Sequence, residues 1–409
     1  MLAFVGYPTI TQAVGQKVFL GIDVLERSGF NAIAGQRIGL LTHPAGVNRE
    51  GIHTITTLQC APNVNLVALF GPEHGIYGDE KAETPIADRI DRRTGLPVYS
   101  LYGRYRKPTP AMLAGLDALV IDLQDLGVRS YTYISCMRKV MEACFENQVT
   151  VVVLDRPNPL GGYKVDGPIM EQRWMSYVGA FPIPYVYGLT IGELAYMAQD
   201  RKGWLAVEPA VQAAGQLIVI PMYGWRRSMR WPETGLHWVP TSPAIPDLSA
   251  ALGYAMTGLG AQLGGFHHGY GYGYPFRLLT FAGKTPRDIA VALRAKGITG
   301  LEYQSKPYIQ PDGTPAKGLY LRVKDWQTLR PTAISFHMMQ LACTWSSGNP
   351  FARADHRRAE LFNKHVGSTA WWETLCSQGA RIDVDAFLQK WQADARRFQA
   401  ASRPYWLYR

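Results

Sequence analysis

The sequence predicts an α/β protein: a Rossmann-like, doubly wound parallel sheet followed by a second, smaller α/β auxiliary domain. Short apolar runs recur through the first half, plausible helices separate them, and each run leads into a polar or Gly/Pro-rich turn. Strands covered on both faces are typically continuous Val/Ile/Leu runs, and alternating strands and helices imply right-handed crossovers. We place the domains at residues 1–240 and 241–409.

The first domain begins with strands and helices that alternate along the chain. The predicted strands are Arg37–Thr42, Asn65–Phe70, Ala118–Leu123 and Thr150–Leu154. The predicted helices between them are Thr54–Gln59, Thr109–Leu116 and Cys136–Asn147. Thr109 can cap the second of these helices, with Pro110 in its first turn.

The later elements are marked by a capping pattern, a short apolar run and a polar–aromatic tail. Thr190 and Glu193 have the spacing of a capping box and predict a helix that runs through Gln199. The remaining predictions are a strand at Leu217–Pro221, a long ordered loop at Trp231–Pro246 near the domain boundary, a helix between Asp383 and Ala400, and an aromatic cap of Tyr405, Trp406 and Tyr408.

The composition is that of a globular protein with a basic surface. The chain has 409 residues, of which 47% are hydrophobic and 18% charged, and 42 Lys and Arg against 32 Asp and Glu give a net charge of +10. This charge favours anionic partners such as an acidic polysaccharide. The basic residues are dispersed, so no nucleic-acid partner is predicted. The sequence gives no signal for the oligomeric state.

Several classes of site and location are excluded by missing patterns. The five cysteines have no metal-binding spacing, and no nucleotide-binding glycine motif follows a strand, so no metal or cofactor is predicted. No apolar run of about 18 residues occurs, so no membrane span is predicted. The first 16 residues are apolar but lack the basic start of a signal peptide, which leaves a cytoplasmic location open.

Polar side chains follow each of the four predicted strands of the first domain. In an open parallel sheet these carboxyl ends lie along one edge, where ligands bind. The sequence therefore predicts one crevice that is shared by the following residues: His43, Glu73, His74, Asp122, Gln124, Asp125, Arg156 and Asn158.

Within this crevice, Glu73 is the predicted general acid/base, because neighbouring Pro and Gly residues form a turn that can aim its carboxyl inwards. His74 orients Glu73 or binds substrate. Asp122 and Asp125 are predicted as further catalytic carboxyls, since most glycosidases use a pair. A glutamate after a strand can also simply cap the next helix, and this alternative stays open.

Substrate-binding residues are predicted around the same crevice and in a glycine-rich loop. Arg129 and Arg156 suit a substrate carboxylate, and Tyr131 follows on the same segment. The loop of residues 261–273 contains His267, His268 and Tyr270, and is either a flexible connection or a substrate-facing loop with rings for stacking. Two histidines without a third ligand at a fixed spacing do not predict a metal site.

Several strings resemble the exo-β-N-acetylmuramidase family typified by NamZ, also known as DUF1343. The matching strings are GLLTHPAGV at 39–47, LFGPEHGIYG at 69–78, YSLYGRYRKPTP at 99–110, DALVIDLQDLGVRSYTYI at 117–134, VVLDRPNPLGG at 152–162, VDGP at 165–168, YGLTIGELA at 187–195, and the segment 221–246. Together they cover most of the chain from about residue 21.

The resemblance implies a Rossmann-like domain followed by a smaller one, with the site in the cleft between them. It implies release of N-acetylmuramic acid from the non-reducing ends of peptidoglycan fragments, with Glu73 as the acid/base of the PEHG motif. It also implies a periplasmic or secreted location. Muropeptides are then the expected partners, and the lactyl carboxylate of muramic acid is the group expected to meet Arg129 or Arg156.

The sequence departs from the family pattern at three places. Residues 261–273 replace an acidic loop of the family, and His43 and Tyr187 stand where the family often has Asn and His. The missing acidic loop motivates two alternatives: a catalytically lapsed glycan-binding protein, or a glycosidase for a related amino sugar. The second half of the chemistry is left open between Asp122, Asp125 and the N-acetyl group of the substrate.

Overall fold

The computed structural model describes residues 17–78 and 89–409. The apolar N-terminal stretch of residues 1–16, which lacks the basic start of a signal peptide, lies outside these residues. Among the residues that are described, no helix combines the length and the apolar character needed to cross a bilayer.

The first domain contains a seven-stranded, mostly parallel sheet. Its strands are β1 (Arg37–Thr42), β2 (Asn65–Gly71), β3 (Arg89–Ile90), β4 (Pro97–Ser100), β5 (Ala118–Asp122), β6 (Thr150–Leu154) and β7 (Leu217–Ile220). Their order is β3-β4-β2-β1-β5-β6-β7, and only β3 is antiparallel to its neighbour. The chain leaves β1 towards one side for β2 and crosses to the other side for β5. The predicted doubly wound sheet is therefore confirmed, with its switch point between β1 and β5.

Short helices cover both faces of this sheet. They are α1 (Gly21–Arg27), α2 (Thr54–Gln59), α3 (Pro110–Leu113), α4 (Tyr133–Glu146), α5 (Ile191–Asp200) and α6 (Pro209–Ala214). Alternate residues of each central strand enter two different apolar clusters. In β5, for example, Leu119 and Ile121 pack on one face and Ala118 and Val120 on the other. Burial on both faces explains why these strands are continuously apolar.

The predicted elements of the first domain agree with the structure to within a few residues. Helix α3 is shorter than predicted because Ala114 leaves helical geometry, with φ −58° and ψ 124°. Helix α4 begins three residues earlier than predicted, at Tyr133. The capping box of Thr190 and Glu193 is present at the start of α5, with both hydrogen bonds formed.

The second domain combines helices with a small antiparallel sheet. Its helices are α7 (Leu248–Thr257), α8 (Pro286–Arg294), α9 (Pro331–Trp345), α10 (His356–Val366), α11 (Thr369–Gln378) and α12 (Val384–Ser402). Its strands β8 (Leu278–Leu279), β9 (Leu301–Ile309) and β10 (Pro315–Val323) are ordered β8-β10-β9. The sequence analysis predicted α12 but not this sheet. The helices and the buried face of the sheet share one apolar core.

The C-terminal tail returns to the first domain. The Tyr408 hydroxyl donates to Asp155 at 2.5 Å, beyond the end of β6, and the backbone N–H of Met222 donates to that hydroxyl at 2.9 Å. Arg227 lies 3.9 Å from the ring centroid of Trp406. The predicted aromatic cap is therefore real, and it packs on the first domain although it follows the second domain in sequence.

Candidate active site

The turn after β2 places Glu73 at the carboxyl edge of the sheet. His74 has φ 73° and Gly75 has φ 70°, so two successive residues adopt left-handed geometry. The N–H of Gly75 donates to the Pro72 carbonyl at 3.0 Å, which closes the turn. A side chain at Gly71 would approach the Gly75 Cα to 3.3 Å, so glycine permits this close return. A non-glycine residue at positive φ is costly and is often found at functional sites.

The carboxyl of Glu73 lies at the start of α4. The hydroxyl of Thr132, the residue before α4, donates to its Oε2 at 3.1 Å. The positive end of a helix dipole favours a negative charge at such a position. The next helix of the described residues, α3, is capped by the side chain of Thr109, which accepts from the Met112 N–H. The side chain is half-buried.

Three tyrosines form a cluster beside Glu73. Ring centroids are 4.7 Å apart between Tyr131 and Tyr133, and 6.1 Å apart between Tyr131 and Tyr254 of α7. Burial, together with the charge of Glu73, raises the pKa of Tyr133 well above its usual value and that of Tyr254 to about 12. These hydroxyls therefore stay protonated at neutral pH and can donate hydrogen bonds. Because Tyr254 belongs to the second domain, the site lies between the domains.

The tyrosine cluster of Tyr131, Tyr133 and Tyr254 is held by the Pro-rich segment after Trp231. Tyr131 donates to the Thr241 hydroxyl at 2.9 Å, and Tyr133 donates to the Thr241 carbonyl at 2.7 Å. Thr241 is fully buried. The long loop predicted at 231–246 is thus ordered, with one 3₁₀ turn at Trp231–Thr234, and it fixes two of the rings.

Asp125 is the second carboxyl that borders the tyrosine cluster. Its Oδ2 accepts from the Gly127 N–H at 2.6 Å and from the Tyr187 hydroxyl, whereas its buried Oδ1 has no partner among the described residues. Burial raises the pKa of Asp125 from 3.8 to about 6. The Asp125 charge also contributes to the raised pKa values of Tyr131 and Tyr254. The charges of Glu73 and Asp125 therefore both help to raise the pKa of Tyr254.

Asp122 is placed differently from Asp125, although both lie at the carboxyl end of β5. Its two oxygens accept from Arg156 Nε at 2.6 Å and Nη2 at 2.8 Å, and the Thr54 hydroxyl donates to Oδ2 at 2.5 Å. Asp122 is fully buried and Arg156 is 3% exposed. Arg156 also donates to the Val47 carbonyl at 2.7 Å. This arrangement joins the loops after β1, β5 and β6, and it leaves Asp122 poorly placed for proton transfer.

His43 and Gln124 lie beneath the site at the switch point. The N–H of Gln124 donates to His43 Nε2 at 2.9 Å, so this nitrogen is an acceptor. Burial and the nearby Arg156 charge lower the pKa of His43 well below 6.5, which keeps the ring neutral. The Gln124 amide donates to the carbonyls of Asp125 and Pro157, both at 2.9 Å, and its buried Oε1 has no partner among the residues described.

Arg129 and Asn158 hold the chain together and do not face a ligand. Arg129 is fully buried, and it donates to the carbonyls of Pro168, Ile183, His365 and Val366 at 2.7 to 3.0 Å. Asn158 donates to Leu189 and accepts from Leu160, and a Cβ at Gly127 would lie 2.3 Å from its Oδ1. The geometry does not support the expectation that either side chain binds substrate.

The 261–273 loop is connected to the site through Phe276, which lies between His268 and Tyr254. His268 stacks on Phe276 with centroids 4.4 Å apart, and Phe276 meets Tyr254 edge-on at 4.8 Å. His267 stacks on Tyr272 at 4.3 Å. Burial lowers the pKa of both histidines, that of His268 to about 4, so the rings are neutral at pH 7. Tyr270 is half-exposed.

The structure therefore brings together Glu73, His74, Asp125 and the tyrosine cluster, with His43 and Gln124 behind them. The sequence analysis missed Thr132, Thr241 and Tyr254. Thr132 and Thr241 lie in strings that it quoted, so adjacency to the motif was an available signal. Tyr254 lies in an apolar helix of the other domain, and only the tertiary fold identifies it.

Comparison with known proteins identifies the family of this chain. The family model described as exo-β-N-acetylmuramidase NamZ, N-terminal, matches residues 38–249, and the corresponding C-terminal model matches residues 252–408. The chain belongs to the NamZ exo-β-N-acetylmuramidase family. The membership predicted from the motif strings is confirmed, and with it the glycosidase class.

Individual NamZ-family relatives agree with this membership. The peptidoglycan β-N-acetylmuramidase NamZ of Bacillus subtilis (strain 168) is 39% identical over 313 residues, which cover 76% of this chain and 73% of that protein. Two crystal structures of DUF1343 family proteins from Bacteroides fragilis NCTC 9343 have the same fold. Their TM-scores are 0.86 and 0.72, at 38% and 26% identity, and each match covers 96% of this chain and 99% of the other.

Proposed function

We propose that this protein is an exo-acting β-N-acetylmuramidase that removes N-acetylmuramic acid from the non-reducing ends of peptidoglycan fragments. The observation that carries the proposal is the pair of carboxyls, Glu73 and Asp125, that borders Tyr254 in the cleft between the domains. Most glycosidases use two carboxyl groups, and the different environments of the two groups give them different catalytic roles. The identity of the sugar, N-acetylmuramic acid, is taken from the activity for which the family is named.

Glu73 is proposed as the general acid that protonates the leaving glycosidic oxygen. It is the more accessible of the two carboxyls, and its turn is fixed by Gly71 and Gly75. The hydroxyl of Thr132 donates to Oε2 and so helps to hold the carboxyl at the edge of the cleft. Proton transfer by a positioned acid contributes about 10²- to 10⁴-fold to such reactions.

Asp125 is proposed as the second group, in preference to Asp122. Asp122 is engaged on both oxygens by Arg156 and Thr54. Asp125 has Oδ1 uncommitted among the described residues. Oδ1 is not exposed, so the proposed contact requires neighbouring side chains to move aside when the substrate enters. The ionised Oδ1 can then accept from the acetamide N–H of the substrate. It would orient the acetamide carbonyl for attack on the anomeric carbon, which is the substrate-assisted route to a retained configuration.

The test changes Glu73→Gln and measures turnover of a chromogenic N-acetylmuramide. We expect kcat to fall at least about 10²-fold with little change in the melting temperature. Glu233→Gln is the matched control, because Glu233 is an exposed glutamate paired with Arg230, and this variant should behave as wild type. Unchanged turnover in Glu73→Gln disproves the acid role. Binding without any release by the wild type supports a glycan-binding protein instead.

The proposed substrate places the protein outside the cytoplasm, in the periplasm or the cell exterior, where peptidoglycan lies. The net charge of +10 suits an anionic wall polymer. Fractionation of cells that express the native gene checks the location, with a cytoplasmic marker enzyme as the reference. Recovery with the cytoplasmic marker would point to a substrate that has already been imported.

A further inference from the structure

A cavity of about 490 Å³ lies in the second domain, between α7 and the β9–β10 hairpin. It is separate from the site around Glu73, and the mechanism proposed above does not use it. A volume of this size is within the range of small-molecule sites. Its polar lining includes Arg277, Gln304, Lys306, Tyr320 and Arg322.

The lining of this cavity is strongly cationic. It has three basic side chains, Arg277, Lys306 and Arg322, and no Asp or Glu among the described lining residues. The acidic neighbours lie beyond the lining: Asp247 is 3.2 Å from Arg277 and Glu302 is 3.3 Å from Arg322. Arg277 is only 8% exposed, and its Nε has no hydrogen-bond partner in the described part of the chain. Arg277 is thus paired with Asp247 and also donates to the Tyr320 hydroxyl at 3.4 Å. Lys306 makes no ion pair with a described residue, so its charge is the one that most favours an anionic ligand.

An aromatic wall complements these cations. The Tyr320 ring lies 5.7 Å from the Arg277 guanidinium carbon and 5.9 Å from Lys306 Nζ, and Tyr274 meets it edge-on at 5.6 Å. Gln304 lies opposite Tyr320 in the hairpin register. A ring, an amide and fixed cations together suit a carbohydrate or amide ligand that carries a carboxylate.

The cavity and the Glu73 site are on opposite sides of α7. Ser249 and Met256 line the cavity, whereas Tyr254 is rotated about half a turn from them and faces the tyrosine cluster. An α-helix with its side chains is about 10–12 Å wide. A ligand that reaches both places must therefore extend past the cleaved sugar.

Resting on the proposed muramidase activity, we infer that this cavity is a second subsite, which binds a carboxylate carried by the substrate beyond the bond that is cut. A peptidoglycan fragment can carry such a carboxylate at two kinds of position. One source is the lactyl carboxylate of the next muramic acid along the glycan. The other source is an acidic residue of a peptide attached to that lactyl group.

The experiment compares Lys306→Glu with Lys317→Glu, which makes the same charge change on β10 outside the cavity lining. The value of kcat/KM is measured on three substrates. They are a chromogenic N-acetylmuramide, a peptide-free tetrasaccharide with two muramic acids, and a trisaccharide whose second muramic acid, beyond the bond that is cut, carries an acidic peptide. We expect Lys306→Glu to lose about fivefold or more on a larger substrate and nothing on the chromogenic one.

Each outcome decides the question. A loss on the tetrasaccharide alone identifies the glycan carboxylate, and a loss on the peptide-bearing substrate alone identifies the peptide. An equal loss on all three substrates, no loss on any, or an equal loss in Lys317→Glu overturns the inference.

If the wild type turns over none of the substrates, the proposed function fails, and calorimetry with the intact protein tests the subsite by itself. Weaker binding of the tetrasaccharide or of the peptide-bearing trisaccharide to Lys306→Glu than to Lys317→Glu upholds the subsite. Equal binding to both variants, or no binding to either, rejects it.

Discussion

Replacing Asp125 by Asn should stabilise the protein at alkaline pH while it removes activity. Both hydrogen bonds to Asp125, from Gly127 and Tyr187, are accepted by Oδ2, and the buried Oδ1 has no partner among the described residues. An asparagine can present its carbonyl oxygen at the Oδ2 position and keep both bonds. The substitution therefore removes a buried charge, but it also places the amide N–H donors at the Oδ1 position, where they have no partner among the described residues. Such a buried, unsatisfied group costs about 1–3 kcal/mol at every pH.

The magnitude follows from the pKa of Asp125. Burial raises it from 3.8 to about 6, so between these values the folded state binds more protons than the unfolded state. Wild-type stability therefore falls as the pH rises through this window. The full cost of the raised pKa is about 3 kcal/mol above pH 7, and it shrinks to about 0.5 kcal/mol at pH 4.

Urea unfolding of the wild type and Asp125→Asn at pH 4 and pH 8 measures this difference. We expect the variant to gain up to about 2 kcal/mol over the wild type at pH 8 and to be less stable than the wild type at pH 4, a change of about 2–3 kcal/mol between the two pH values. Other titrating groups are common to both proteins and cancel. Asp122→Asn is the control of opposite sign, because it breaks the buried pair with Arg156 and should cost about 3–5 kcal/mol. A variant less stable than the wild type at pH 8, or a gain independent of pH, refutes the reasoning.

Three further outcomes test other parts of the structure. If ionised Asp125 orients the substrate, kcat/KM rises with pH through about 6, because kcat/KM follows the ionisation of the free enzyme. Stopped assays of the wild type across about pH 4.5–8 should show this rise, and a flat profile contradicts the role. Arg227→Met leaves the buried Glu193 carboxylate unpaired and should cost about 3–5 kcal/mol by urea unfolding, so a neutral effect would mean that the pair is dispensable. Tyr408→Phe removes a hydrogen bond to buried Asp155 and should cost about 1–3 kcal/mol, whereas an unchanged unfolding midpoint would show that the tail does not anchor the first domain.

Much of the first domain could be predicted because its signals are local. The bounds of β1, β6 and α2 were predicted without error, and those of β2 and β5 to within one residue. Continuous apolar runs, a capping box and Pro/Gly turns are sufficient where the strands are buried on both faces. In the second domain, β9 has only exposed and partly buried positions, and β10 is buried only at Gly318, Leu319 and Leu321, so this weaker pattern did not predict the two strands.

The sequence by itself determined the family, the parallel sheet and the edge at which His43, Glu73, Asp125 and Arg156 gather, because strand order and handed crossovers place all four loops together. Only the tertiary structure decided what each side chain does there. Asp122 and Asp125 are three residues apart, yet one meets a guanidinium and the other an apolar interior. Charge pairing and burial depend on residues distant in sequence, so no local pattern encodes them.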